Sequence, residues 1–175
     1  MRPFLHCVVY LAVVGFVMFL VGRKLPAERF HESRFPYAPY AFEKDGEVYE
    51  KLGVRVWKTK LPDMSRFFPS LMPPRTVVPG DADHLEALIK ETCIAEFTHV
   101  LLFFAGFACL FIWDGNGGVI VTAVYSLFGN LPFIIIQRYN RPRLVRTKDR
   151  ILVRKRQSLT GEEGERCHAN AHTDL

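Results

Sequence analysis

Nineteen consecutive residues, FLHCVVYLAVVGFVMFLVG (Phe4–Gly22), carry no formal charge. Two more apolar blocks follow, from about Cys93 to Trp113 and from Gly118 to Gln137, with only DGNGG at the turn between them. A hydrocarbon core about 30 Å thick is crossed by about 20 helical residues, so all three blocks are long enough to span it. Buried helices of a soluble bundle would show a polar stripe, and Val119–Ile136 shows almost none. A secretory leader would have a shorter apolar core and a small-residue cleavage site, so the first block reads as a retained helix. The pattern predicts an all-α membrane protein with three transmembrane helices.

Charge sets the orientation. Of the 23 Lys and Arg residues, one (Arg2) precedes the first block, twelve lie between Arg23 and Lys90, and ten follow Gln137. Positive residues stay on the cytoplasmic side. This predicts an outward N-terminus and an outward turn at Asp114–Gly117, with residues 23–92 and the C-terminus cytoplasmic. The net charge of +5 is then an orientation signal. It does not mark a nucleic-acid partner, because the basic cluster abuts a spanning block and interleaves no base-stacking aromatics beyond Tyr139. The four cysteines (Cys7, Cys93, Cys109 and Cys167) show no metal spacing, and neither a disulfide nor a zinc site is expected.

Residues 23–80 hold eight of the eleven prolines, which forbids a long helix and discourages a regular sheet. Their aromatics, among them Tyr37, Tyr40, Phe42 and Trp57, suit the headgroup layer. The segment reads as a proline-rich, mostly irregular cytoplasmic loop packed at the inner membrane face. Within it FEKDGEVYEKL predicts a turn and a short helix, and VRVWKTKLPD a strand-like or irregular piece ending at Pro62. A helix start is signalled in PGDADHLEALIKE, with Asp81 or Asp83 as cap. One continuous helix from about Asp83 to Trp113 is expected. Pro142 is expected to end or bend the third helix near Arg141, leaving a basic and then disordered tail. The chain thus divides into 1–22, 23–80, 81–113, 118–141 and 142–175.

The stretch ETCIAEFTHVLLFF (Glu91–Phe104) sets two acids and an imidazole at the entrance to the second block, where each costs desolvation unless it is used. Thr92, Glu96 and His99 share one helical stripe, and Asn130, Gln137 and Arg141 recur at helical spacing on the third block. Counting about 1.5 Å per residue puts His99 inside the inner leaflet, with Asn130 at about the same depth. One reading is an active site in which Glu96 orients His99, His99 is a general base on a hydroxyl, and Arg138 and Arg141 hold a phosphate or an oxyanion. The other is a buried polar network that fixes helix packing. By themselves Glu91, Lys58, Lys60 and Asp63 read as surface charges, and Trp57 as an interface anchor.

VWKTKLPD, ETCIAEFTH and NLPFIIIQRYNRPRL, with FEKDG upstream, together resemble the glycosyl-4,4'-diaponeurosporenoate acyltransferase family of bacterial membrane proteins, over about Arg23 to Leu144. The resemblance implies transfer of a fatty acyl group to a sugar hydroxyl of a glycosylated carotenoid at the bacterial cell membrane. Its motif positions here are Trp57, Lys58, Lys60, Asp63, Glu91, Glu96, His99, Asn130, Gln137, Arg138, Tyr139, Asn140, Arg141 and Arg143. The expected activity is O-acyl transfer from an acyl thioester such as acyl-CoA, with no bound cofactor, to a membrane-embedded glycosylated lipid or carotenoid. His99, Glu96 and Glu91 are the expected catalytic residues, and the remaining motif positions are expected to contact substrate. A non-enzymatic membrane subunit that binds a lipid headgroup or a partner helix, and a lipid hydrolase, are the alternatives. Acceptor, acyl length, donor and oligomeric state stay open at this point.

Overall fold

The computed structural model describes residues 2–61 and 81–171. Among these residues every regular element is helical. The chain opens with α1 (Arg2–Lys24). Two short helices follow, α2 (Glu47–Lys51) and α3 (Val54–Trp57), set among 3-10 turns at Ala27–Arg29, Ala41–Gly46 and Lys58–Lys60. Helix α4 (Ala82–Ala105) tightens through a 3-10 turn at Gly106–Ala108 into α5 (Cys109–Ile112). Helix α6 (Asn116–Ala123) passes through a π-helical stretch, Val124–Asn130, into α7 (Leu131–Ala171). Three rods, α1, α4–α5 and α6–α7, are long and apolar enough to cross a membrane.

The rods are joined by hydroxyl groups where they approach closely. Thr122 Oγ1 donates to the Gly106 carbonyl (3.1 Å), Ser126 Oγ to that of Phe103 (2.9 Å) and Tyr10 Oη to that of Ala105 (3.1 Å). These three carbonyls bracket the point where the second rod changes from α to 3-10 geometry. The approach needs glycine: a Cβ on Gly106 would lie 2.7 Å from Ser126 Oγ. Small residues at such crossings let backbones meet and hydroxyls bond across them. The sharp turn between the second and third rods is equally restricted, since a Cβ on Gly118 would lie 2.0 Å from the Trp113 carbonyl oxygen. At the other end, Asp81 caps α4 by accepting from the His84 amide (2.9 Å).

Three expectations are corrected. The described part of VRVWKTKLPD is not strand-like: Val54–Trp57 form α3 and Lys58–Lys60 a 3-10 turn, and Pro62 and Asp63 lie outside the described residues. The segment lacks a core of its own and borrows one, with Tyr49 and Val54 buried against Tyr139 of α7 and flanked by Trp57, Ile135 and Ile136. Pro142 does not end the third helix, which runs on to Ala171 with the proline inside it. Proline removes the amide that would bond the Arg138 carbonyl. The turn before it is pinned by the side chains of Arg138 and Arg141, and Arg143 Nη1 donates to the Tyr139 carbonyl (2.6 Å). Side-chain donors of this kind keep a proline-containing helix continuous. The tail beyond is therefore also helical as far as Ala171, where disorder was expected. At 1.5 Å per residue α7 is about 60 Å long, twice the thickness of a bilayer core.

Candidate active site

The second and third rods run antiparallel, so Thr92 and Glu96 of α4 meet Arg141 and Arg138 of α7, and His99 meets Asn130. Arg138 uses all five of its N–H groups. Nε donates to Glu43 Oε1 (2.5 Å), Nη1 to Glu96 Oε1 (2.6 Å) and the Pro36 carbonyl (3.1 Å), and Nη2 to Glu43 Oε2 (3.1 Å) and the Ala38 carbonyl (3.1 Å). Arg141 uses four: Nε to Thr92 Oγ1 (2.9 Å), Nη1 to the Tyr37 carbonyl (2.8 Å), and Nη2 to the Thr92 carbonyl (3.1 Å) and Glu96 Oε2 (2.5 Å). Tyr40 and Tyr37 lie under the two guanidinium groups, with Arg138 4.4 Å and Arg141 5.5 Å from the ring centroids.

Glu43, Glu96, Arg138 and Arg141 thus form a cluster of two acids and two bases, none more than 9% exposed. Buried charges are tolerable when paired and bonded to this degree. Burial alone would raise the Glu43 carboxyl, but hydrogen bonds from Arg138, Tyr49 and the Tyr40 amide outweigh it and hold its pKa below the ordinary value. Tyr49, whose hydroxyl donates to Glu43, is pushed up by burial and then by the bond and charge of that carboxylate.

The cluster corrects two role assignments. Glu96 commits both carboxylate oxygens to the arginines, so their charge and not that of His99 is what it balances. Arg138 has no N–H left for a substrate anion. The two arginines instead fasten residues 36–43 to α4 and α7. Glu43, Tyr37, Tyr40 and Tyr49 are essential to that clamp, and the sequence reading gave them no role in the site. The one available signal was the FEKDG stretch that carries Glu43.

One turn deeper along α4, His99 Nδ1 lies 3.1 Å from Asn130 Oδ1. The Asn130 amide has a fixed sense, because its Nδ2 donates to the Tyr125 carbonyl (3.0 Å) inside the π-helical stretch. An amide oxygen only accepts, so Nδ1 of His99 carries the hydrogen and the neutral ring keeps its lone pair on Nε2. Phe133 stacks on the imidazole at 4.8 Å between centroids and 8° between planes, which fixes the ring's tilt.

A third group gathers around Tyr139. Lys58 Nζ donates to Asn140 Oδ1 (3.0 Å) and sits 4.7 Å from the Tyr139 ring centroid, while the Arg143 guanidinium lies 3.5 Å from it. Arg143 also pairs with exposed Glu50. Trp57 is drawn into the neighbouring apolar cluster and donates to the Leu52 carbonyl (3.1 Å). Lys60 and Glu91 are exposed. Asp63 lies outside the described residues. Of the sequence-derived set, Glu96, Arg138 and Arg141 converge on the clamp, His99 pairs with Asn130, and Lys58, Gln137, Asn140 and Arg143 line a separate basic pocket.

Three apolar rods, with a charge-neutral clamp and a His99–Asn130 pair between two of them, define a helical membrane protein. The glycosyl-4,4'-diaponeurosporenoate acyltransferase family model matches residues 27–150, and the chain belongs to that family. It is 30% identical over 152 residues to the glycosyl-4,4'-diaponeurosporenoate acyltransferases of Staphylococcus aureus strains MRSA252 and Newman. It is 29% identical to that of strain N315. Each alignment covers 85% of this chain and 89% of the relative. No solved structure matches. The chain is accordingly a membrane acyltransferase.

Proposed function

We propose that the chain moves a fatty acyl group from an acyl thioester to a sugar hydroxyl of a membrane-embedded glycosylated lipid or carotenoid, with His99 as the base. The carrying observation is the 3.1 Å contact between His99 Nδ1 and Asn130 Oδ1, which calls for the hydrogen on Nδ1 and so for Nε2 as the proton-accepting nitrogen. Nε2 takes the hydroxyl proton as the oxygen attacks the thioester carbonyl carbon. The new C–O bond forms, the C–S bond breaks, and the departing thiolate takes the proton back from Nε2. Ester and free thiol are the products, and the imidazole ends as it began.

Glu96 acts in this scheme through the clamp, which sets α4 against α7 one turn from His99. Glu91 takes no part in the step. The acceptor assignment draws on the printed name of the relatives. The orientation that goes with this reading, supported by the positive-inside charge distribution, has the N-terminus outside and residues 23–92 and the C-terminus in the cytoplasm. The clamped, proline-rich segment then lies at the inner membrane face, above the histidine.

The test is turnover by purified protein in lipid, read as ester product by mass spectrometry. His99→Gln is expected to lower product by about 10²–10⁴-fold, the usual contribution of a positioned base. Ester formation at the wild-type rate by His99→Gln would overturn the assignment. Cysteines placed at Asp114 and at Thr147 are expected to label from opposite sides of sealed vesicles.

A further inference from the structure

Beside the clamp, a separate cavity of about 320 Å³ opens between α3, α4 and α7, lined by Lys58, Thr92, Gln137, Asn140, Arg143 and Thr147 among others. Its polar groups are unbalanced in a particular way. Lys58 pairs with no carboxylate among the described residues; its bond is to the neutral Asn140. Arg143 has one carboxylate partner among the described residues, Glu50, which is exposed. Gln137 is 4% exposed, and its Oε1 has no hydrogen-bond partner among the described residues. A buried amide oxygen left this way costs about 1–3 kcal/mol, so such groups are ordinarily met by a donor. The pocket therefore presents Lys58, a cation without a carboxylate, beside Arg143, whose one carboxylate is solvent-exposed, and close by an acceptor that calls for an N–H or O–H.

Its position relative to His99 narrows the choice. Both cationic heads lie at the level of Tyr139: Arg143 Nη1 bonds the Tyr139 carbonyl, and both groups lie over its ring. Nine residues separate Tyr139 from Asn130, about 14 Å along the helix. Thr92 and His99, and likewise Gln137 and Asn130, are seven residues apart and share a helical face. A ligand with its anion at the level of Tyr139 and its reacting carbon near His99 must span at least about 14 Å along the helix axis, with a donor group part-way along. A phosphopantetheine arm has a phosphate, then a hydroxyl and two amides, then sulfur. Its 13 bonds from phosphorus to sulfur extend about 15 Å at peptide-like bond lengths.

We infer that this pocket is the donor site, in which Lys58 and Arg143 bind the phosphate of a phosphopantetheine thioester and Gln137 Oε1 accepts from the hydroxyl or amide next to it. The inference rests on the thioester reading above and adds which part of the donor is recognised, and where. The state of Lys58 agrees with it: burial first, then the charges of Arg143 and Arg55, lower its pKa, a penalty that a bound anion relieves.

The test is calorimetric binding to the purified full-length chain in lipid nanodiscs, with 4'-phosphopantetheine, pantetheine and coenzyme A as probes. 4'-Phosphopantetheine is expected to bind at least about tenfold more tightly than pantetheine. Lys58→Met and Arg143→Met are each expected to raise its Kd about ten- to a hundredfold, the weight of a charge-assisted bond. Lys58→Arg, which keeps the charge, should stay within about threefold and shows that the site still folds when altered. Tighter binding of coenzyme A than of 4'-phosphopantetheine identifies the free nucleotide thioester as the source; equal binding identifies an arm borne by a carrier protein. Equal affinity for pantetheine, unchanged Kd in both methionine variants, or displacement by phosphatidylglycerol would overturn the inference. His99→Gln separates the two readings. It should bind 4'-phosphopantetheine like wild type and form no ester. An inactive His99→Gln with unaffected methionine variants removes the pocket alone, and an active His99→Gln with weakened methionine variants removes the base alone.

Discussion

Replacing Glu96 by glutamine is the sharpest probe of the clamp, because it changes charge and almost nothing else. In the wild-type chain the cluster of Glu43, Glu96, Arg138 and Arg141 sums to zero, with Glu96 touching both arginines at 2.6 and 2.5 Å. Glu96→Gln leaves one uncompensated positive charge at residues no more than 9% exposed. It also turns an NH₂ donor toward one of two guanidinium donors, so at least one bond is lost outright. Removing one partner from a buried pair costs about 3–5 kcal/mol, which is more than the bond itself because the remaining charge stays desolvated. The fraction open should therefore rise by about two to three and a half powers of ten. Opening is read by denaturant titration in mixed micelles. Glu96→Gln with Arg141→Met restores neutrality, and should be less destabilised than the sum of the single variants by at least about 1 kcal/mol. A Glu96→Gln protein within about 1 kcal/mol of wild type, or strict additivity in the double variant, would refute the idea that these charges hold each other in place.

The Glu43 carboxyl is held below its ordinary value, so its contribution is present above that value and is lost as pH falls through the lower, folded one. Cleavage within residues 36–43 by an acid protease should thus stay slow at and above the ordinary carboxylate range and accelerate only as pH falls below it, and Glu43→Gln should abolish that pH dependence. Arg138→Lys replaces five used N–H groups by three, and should leave at least two buried acceptors unserved at about 1–3 kcal/mol each, measured by the same unfolding titration. Gly106→Leu should separate the second and third rods and cost about 1–3 kcal/mol, because its Cβ position is already 2.7 Å from Ser126 Oγ. Gly15→Leu, where a Cβ meets nothing within 4 Å, should be silent in that assay.

The parts of this molecule legible in the sequence are those that a period or a local cap can express. The apolar blocks announce three spans, Asp81 announces the start of α4, and the seven-residue stripes place Thr92 with His99 and Asn130 with Gln137. Depth counting also brings His99 and Asn130 to one level, and they meet at 3.1 Å. What escapes is whatever depends on partners far apart in the chain. Glu43 and Arg138 are 95 residues apart, and no spacing rule links an acid in a proline-rich segment to an arginine at the end of a span. For the same reason Arg138 looks like a free anion receptor until its donors are counted. The four-residue helix α3 is too short to show a period, and it folds because Tyr139 and its neighbours supply the apolar surface it lacks. Pro142 misleads because a local rule about prolines takes no account of side chains that hold the surrounding turn.

The wide turn at Val124–Asn130 makes the third span sensitive to residue number in a way its composition hides. A π-helical bulge accommodates one residue more than ordinary α-helix over the same rise, and each α-helical residue advances the phase by about 100°. Excising Leu127 or Phe128 would let the stretch relax to α-helix with Gly118 and Thr122 still in phase with Gln137 and Arg141, whereas one inserted residue, with the bulge already occupied, would rotate them by about 100°. The outer hydroxyl bonds to the second span and the inner clamp could then no longer form together. A single-codon insertion, almost invisible to a hydropathy plot, would uncouple the two ends of the bundle, where a deletion would not.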